Sequence, residues 1–574
     1  MQDEPTRRGP RVARALALAV VLAFAAVLAL VLVLLALVND GATYGASPLD
    51  TSSNFPLPSA VSVGLGCLVA LAAASLCVCA HLARRRAALS DREFLGIALA
   101  LTGLVLTAQI ALVSCIYAVP GWDAGTILEY ARWKASGLDA ASYYGGDVNE
   151  WVTGYLGLYP NNALLTAVFT VCYLVGDALG TDGLYLACVL GALCVSTGGL
   201  LTCLLVARIG GSHAVALVSL ALYTGLFSLS PWVGVPYSDT FAALFVAATL
   251  FLGARCLDAQ GRPLALDGRG VLAWLRAAAP WLALGIVALV GYLIKPTVLI
   301  TGMAVVAVAL VRLLVRREPA RRRLARGGAA VVGLVLAAGL VLGIAAPGVR
   351  FAMGAGEDPT TALGMSHFLM MGQNDETTGS YLQSDVDFSR SVADPTERAA
   401  MERAAAISRV AGRGLAGNAD FYARKLLYSF GDGTFLWAGE AGDEFFQAIL
   451  PARGPLAYGV RSLVYRPAWQ GGADLGTFRM TAQIAWCAVL ALALAGGVAT
   501  VAALWRRVPP VHPIVLATML AVLGLALYLL LFECRARYLF CFGPAMIICA
   551  GAGLAFLSRL LTMCPALRPR LARR

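Results

Sequence analysis

The sequence predicts an all-α polytopic membrane protein with about twelve transmembrane helices, and three observations lead there. The chain is 59% hydrophobic and 13% charged, with a mean hydropathy of +0.76. A soluble domain carries about twice that charge. Many apolar runs reach the roughly 20 residues that a bilayer core requires. Arginines gather beside alternate ends of those runs, the pattern of loops retained in the cytoplasm.

The first run, about 13–38, follows Arg7, Arg8, Arg11 and Arg14, which put the N-terminus inside. It is too long for the apolar core of a signal peptide and is read as an anchor helix. After an outer loop at 39–58, a second helix (about 59–83) returns to Arg84, Arg85 and Arg86, and a third (about 94–119) goes out. The stretch Gly121–Asn162 is then extracytoplasmic. The apolar run 163–179 breaks the downstream alternation if it crosses, so it is read as interfacial or re-entrant. Crossings follow at about 184–208, 213–231, 240–254, 280–294, 298–311 and 328–346. They leave 255–278 and the Arg312–Arg326 patch inside. Residues 347–480 form one long outer segment, helical over Pro395–Arg413, and helices at about 481–504, 512–532 and 538–560 close the chain. Arg506 and Arg507 mark an inner loop, and the tail with Arg568, Arg570, Arg573 and Arg574 lies inside. Four regions result: an anchor at 1–93, a core at 94–346 with its first outer loop at 120–162, the outer segment 347–480, and a three-helix region at 481–574. No fixed-period repeat supports a repeat-built transporter.

The 14 cysteines fall mostly inside apolar runs and read as small buried hydrophobes. His81, His213 and His512 stand at cytoplasmic helix ends, which leaves His367 as the one outer histidine and no histidine cluster for a metal. A carboxylate-bound magnesium or manganese ion is left open. Basic residues at helix ends are topology markers, so nucleic acid is not an expected partner.

The outer face collects Asp123, Asp239, Lys295, and Glu533, Arg535, Arg537 and Tyr538 within FECRARYLF. All three lysines, Lys134, Lys295 and Lys425, fall outside. Cations there oppose the positive-inside tendency and need a reason. One reason is pairing with outer acids. The other is phosphate: Lys295, Arg535 and Arg537 could hold and neutralise a lipid phosphate as it leaves. A carboxylate beside them could take a proton from an acceptor hydroxyl. Glu533, Tyr538, Lys134 and His367, the last beside Gln373 and Asn374, are candidate substrate contacts.

In this arrangement the chain resembles the GT-C class of polyprenyl-phosphate-sugar-dependent glycosyltransferases, near bacterial relatives of protein O-mannosyltransferases and aminoarabinose transferases. The resemblance rests on WDAG with Asp123, TILEYARWKASG, LYPNNALL, VPYSDTFAAL with Asp239, YLIKPTVLI, SHFLMMGQN, KLLYSFGDGTFLW and ECRARYLF, in that order over roughly 94–560. It implies an integral plasma-membrane glycosyltransferase with an extracytoplasmic site. Its donor would be a polyprenyl-phosphate sugar and its acceptor a cell-envelope molecule. Asp123 would be catalytic and Asp239 a supporting carboxylate. A glycolipid flippase is the alternative, but it calls for charges deep within helices, where this chain has few. A structural scaffold would leave the outer cations unexplained.

Overall fold

The computed structural model describes residues 4–37, 59–83, 89–116, 118–210, 212–260, 271–316, 318–355, 360–437, 446–449, 454–465, 475–506 and 511–563. The expectations for the 39–58 loop, Arg84–Arg86, Arg262, Arg269, Arg507 and the tail arginines lie outside the described residues. Among the described residues, twelve helices are long and apolar enough to cross a membrane.

The chain opens with α1 (Glu4–Leu37), α2 (Ser59–Ala83) and α3 (Asp91–Ile116). A short strand, β1 (Ala118–Pro120), leads into the surface helices α4 (Trp122–Ser136), α5 (Ala140–Tyr144) and α6 (Glu150–Leu158). Then come α7 (Ala163–Leu179), α8 (Gly183–Arg208), α9 (His213–Tyr223), α10 (Ser238–Ala259), α11 (Val271–Ile294), α12 (Leu299–Val315) and α13 (Ala320–Ala338). A π-helical stretch, Gly339–Ala345, joins α13 to α14 (Ala346–Met353), so this helix continues past the expected boundary at 346. Pro347 lies inside this continuous run and cannot donate an intrahelical bond; the π-helical stretch immediately before it is where the regular ladder is interrupted.

The outer segment holds α15 (Met365–Met371), α16 (Gln383–Arg390), α17 (Pro395–Phe430), β2 (Phe446–Ile449) and α18 (Pro455–Val464). Helix α17 is kinked at Gly414, where φ is 63°, directly after the stretch the sequence predicts as helix. The last helices are α19 (Leu475–Arg506), α20 (Pro513–Leu531) and α21 (Gly543–Met563). Helices α19 and α21 pack backbone to backbone. A Cβ on Gly553 would lie 1.8 Å from the Leu492 carbonyl oxygen, a separation only glycine allows. Such small-residue contacts drive helix association where lipid supplies no hydrophobic gain.

Polar pairs mark two ends of the bundle. At one, Arg208 meets Asp258 at 2.6 Å, His512 meets Asp258 at 2.9 Å, Arg326 meets Glu318 at 2.7 Å and His213 meets Asp91 at 3.2 Å. This is the arginine end. Asp123, Asp239, Lys295 and Arg537 occupy the other, the carboxylate end. Helix α7 starts beside Tyr155, which accepts from Asn162 at 3.1 Å, at the carboxylate end. It turns through Gly180 into α8, whose Tyr185 hydroxyl lies 3.0 Å from that of Ser114 near the end of α3. Both ends of α7 therefore lie at the same end of the bundle, as the sequence reading requires. The shorter apolar stretch His213–Ser228 makes the compensating passage, from Asp91 to Tyr237 beside Asp123. The strands β1 and β2 pair antiparallel, with Ala118 opposite Ile449, and tie the approach to Asp123 to the outer segment.

Candidate functional site at the carboxylate end

Asp123 does not follow directly on α3. That helix ends at Ile116, and the strand β1 and Gly121 intervene. Asp123 stands in the first turn of α4, where the helix dipole favours a carboxylate. The preceding residue, Trp122, takes a left-handed backbone (φ 49°), uncommon for a bulky side chain and a form of strain that gathers at functional sites. Tyr237 donates to Asp123 Oδ2 at 3.4 Å. Tyr155, fully buried, lies against the same carboxylate. Burial first, and then the charge of Asp123, push both tyrosine hydroxyls well above their ordinary range, so they act as neutral donors. Tyr159 and Tyr381 also feel the Asp123 charge. A half-buried carboxylate among four tyrosines results.

Asp239 opens α10 and is 2% exposed. It meets Lys295 Nζ at 2.8 Å and Arg537 Nε at 3.2 Å. Lys295 lies 4.3 Å from the centre of the Tyr538 ring, and the Arg537 guanidinium is 5.0 Å from Tyr237 and 5.5 Å from Trp232. Lys295 and Arg537 thus meet the first of the two sequence explanations, pairing with an outer acid. One carboxylate serves two cations, which leaves net positive charge. Arg535 stacks 5.0 Å over Trp122, beside Asp123. Glu533 accepts from the Tyr538 hydroxyl at 2.9 Å. Burial raises its carboxyl above the usual range, against the pull of Arg535.

The segment bearing Glu533 and Arg535 is held by backbone bonds to the outer segment. Glu533 N donates to Phe368 O at 3.0 Å and Cys534 N to Gly379 O at 2.9 Å. Lys425, fully buried, donates to the carbonyls of Gly372 and Phe532. Gly372 is required for this approach: a Cβ there would lie 2.2 Å from the Phe532 carbonyl carbon. Lys425 is therefore a structural latch.

Two candidate contacts are not at the site. Lys134 stands eleven residues beyond Asp123, about 16 Å along α4. Its Nζ lies 4.2 Å from the Trp133 ring. His367 is fully buried, with Nδ1 2.7 Å from Ser389 Oγ. Gln373 and Asn374, each 2% exposed, bind backbone carbonyls rather than facing a cleft. Amphipathic and turn-like sequence around these residues carries no sign of the helices that cover them. The tyrosines, in turn, were missed as site residues. Tyr155 and Tyr159 lie in the aromatic-rich stretch 121–162 and Tyr237 lies two residues before Asp239, but nothing local points to Tyr381.

Among the described residues no group of three or more His, Cys, Asp or Glu side chains is placed to hold a metal ion. A family model described as "Conserved hypothetical integral membrane protein" matches residues 19–555. No curated protein and no solved structure matches the chain.

Proposed function

The chain belongs to the conserved hypothetical integral membrane protein family, and from that premise we propose that it is a glycosyltransferase of the plasma membrane. It moves a sugar from a polyprenyl-phosphate donor to an extracytoplasmic cell-envelope acceptor. The observation that carries this is the convergence, at one end of the bundle, of Asp123 with Glu533, Arg535 and the Asp239–Lys295–Arg537 cluster. These residues are spread over more than 400 positions of sequence. The arginine distribution assigns the opposite end to the cytoplasm and so this end to the outside.

Single displacement suits the arrangement. Asp123 takes the proton of an acceptor hydroxyl as its oxygen bonds to the anomeric carbon. The bond from that carbon to the phosphate oxygen breaks, and its electron pair stays on the phosphate. Arg535 leads in neutralising that oxygen, with Lys295 and Arg537 behind it. Asp239 alone serves both Lys295 and Arg537, and that surplus positive charge suits a singly charged phosphodiester. Tyr159, Tyr237 and Tyr381, which are half-buried or exposed, offer rings and hydroxyls to a sugar. The GT-C resemblance points the same way.

The test is transfer from a panel of polyprenyl-phosphate sugars by the purified protein in lipid, together with mass analysis of envelope glycans in a deletion strain. Loss of a glycan substituent and in vitro transfer that needs Asp123 are expected. Unchanged glycans with no transfer from any donor would overturn the assignment.

A further inference from the structure

At the arginine end, away from the carboxylates, α8, α10 and α11 enclose a cavity of about 450 Å³ lined by Arg208, Leu252, Arg255, Asp258, Pro280 and Ala283. That volume lies within the range of small-ligand sites. Its lining is graded along the membrane normal. Leu252 lies six residues before Asp258 on α10, about 9 Å deeper by helical rise. Pro280 and Ala283 lie two to three turns into α11. Charged groups thus stand at the rim and apolar groups behind them.

The rim carries surplus positive charge. Arg208 is spent on Asp258, through Nε at 3.0 Å and Nη2 at 2.6 Å, and Asp258 also meets His512. Arg255 is exposed and has no ion pair among the described residues; its guanidinium lies 5.8 Å from the Phe251 ring. A neighbouring cavity of about 250 Å³ makes the contrast. Arg316 and Arg326 share Glu318 and Arg312 binds the Leu257 carbonyl, so this cavity is also positive, but four of its six lining residues are polar or charged and it lacks the apolar floor.

We infer that the larger cavity is a binding site for an anionic phospholipid, with the phosphate at Arg255 and the upper acyl chain against Leu252, Pro280 and Ala283. A polar rim over an apolar floor at a bilayer surface matches an amphiphile whose head is anionic. Basic pockets between transmembrane helices bind such heads. Topology alone requires arginines near this end, but not a graded cavity beneath one of them.

Native mass spectrometry of the full chain, titrated with phosphatidylglycerol or phosphatidylcholine, tests this. One phosphatidylglycerol per chain should be retained in preference to phosphatidylcholine. Arg255→Gln should weaken retention about tenfold, the worth of one charge-assisted contact. Arg255→Lys should keep most of it and also covers misfolding of the glutamine variant. Arg506→Gln, an exposed arginine at the same end but outside the cavity, should change nothing. Equal retention of both lipids would overturn the inference. So would equal losses in the 255 and 506 glutamine variants, which indicate leaflet charge alone. Displacement of the lipid by inorganic phosphate would assign the site to free phosphate instead.

Discussion

Replacing Asp239 by asparagine removes the carboxylate that touches both Lys295, 7% exposed, and Arg537, 5% exposed. Two buried cations then face each other with no charge between them. Breaking a buried pair costs about 3–5 kcal/mol, because the remaining ion stays desolvated. Asp239→Asn should therefore unfold at markedly lower temperature or denaturant concentration in detergent. Adding Lys295→Met should restore part of the loss, with a coupling of at least about 1 kcal/mol. The same change at Asp123 should act oppositely. Among the described residues Asp123 has no ion pair, and its contact with Tyr237 is a long 3.4 Å. An asparagine oxygen accepts the same bonds, so stability should change by less than about 1 kcal/mol. Transfer should fall by at least about 10²-fold if Asp123 is the base. Melting curves and turnover per folded molecule separate the two. An Asp239→Asn protein that melts like wild type, or an Asp123→Asn protein that keeps most of its turnover, would refute the division of roles.

Arg535→Ala should lower affinity for a polyprenyl-phosphate sugar by about tenfold or more, with folding little changed, as titration of the purified variant would read. Gly372→Ala should prevent the outer segment from closing on Phe532, so proteolysis should cut 372–380 faster than in wild type. For Glu533, burial raises the folded carboxyl above its unfolded value. The native state then holds the extra proton, so stability should fall as pH rises from the ordinary glutamate value through the raised one. Glu533→Gln should flatten that slope in pH-dependent melts, and an unchanged slope would assign it elsewhere. In a cysteine-depleted chain, a cysteine at Asp147 should react with an impermeant reagent outside intact cells, and one at Ala320 should not. Labelling at Ala320 would reverse the topology.

The sequence alone determined the membrane class, the approximate spans and which charged residues share an end. These depend on local quantities, the length of an apolar run and the charge beside it, and a bilayer imposes both directly. The order of ends suggested an interfacial or re-entrant α7, whose course the tertiary structure decided, and grouped Asp123, Asp239, Lys295, Glu533, Arg535, Arg537 and Tyr538. Only the tertiary structure decided what these groups do to one another. It gave Asp239 to Lys295 and Arg537, and it surrounded Asp123 with Tyr155, Tyr159, Tyr237 and Tyr381. It also withdrew Lys134, His367 and Lys425 into rings, hydroxyls and carbonyls of their own. Pairing and burial are set by distances between segments remote in the chain. A few ångströms there decide whether a charge is free or spent, and no local pattern encodes that difference.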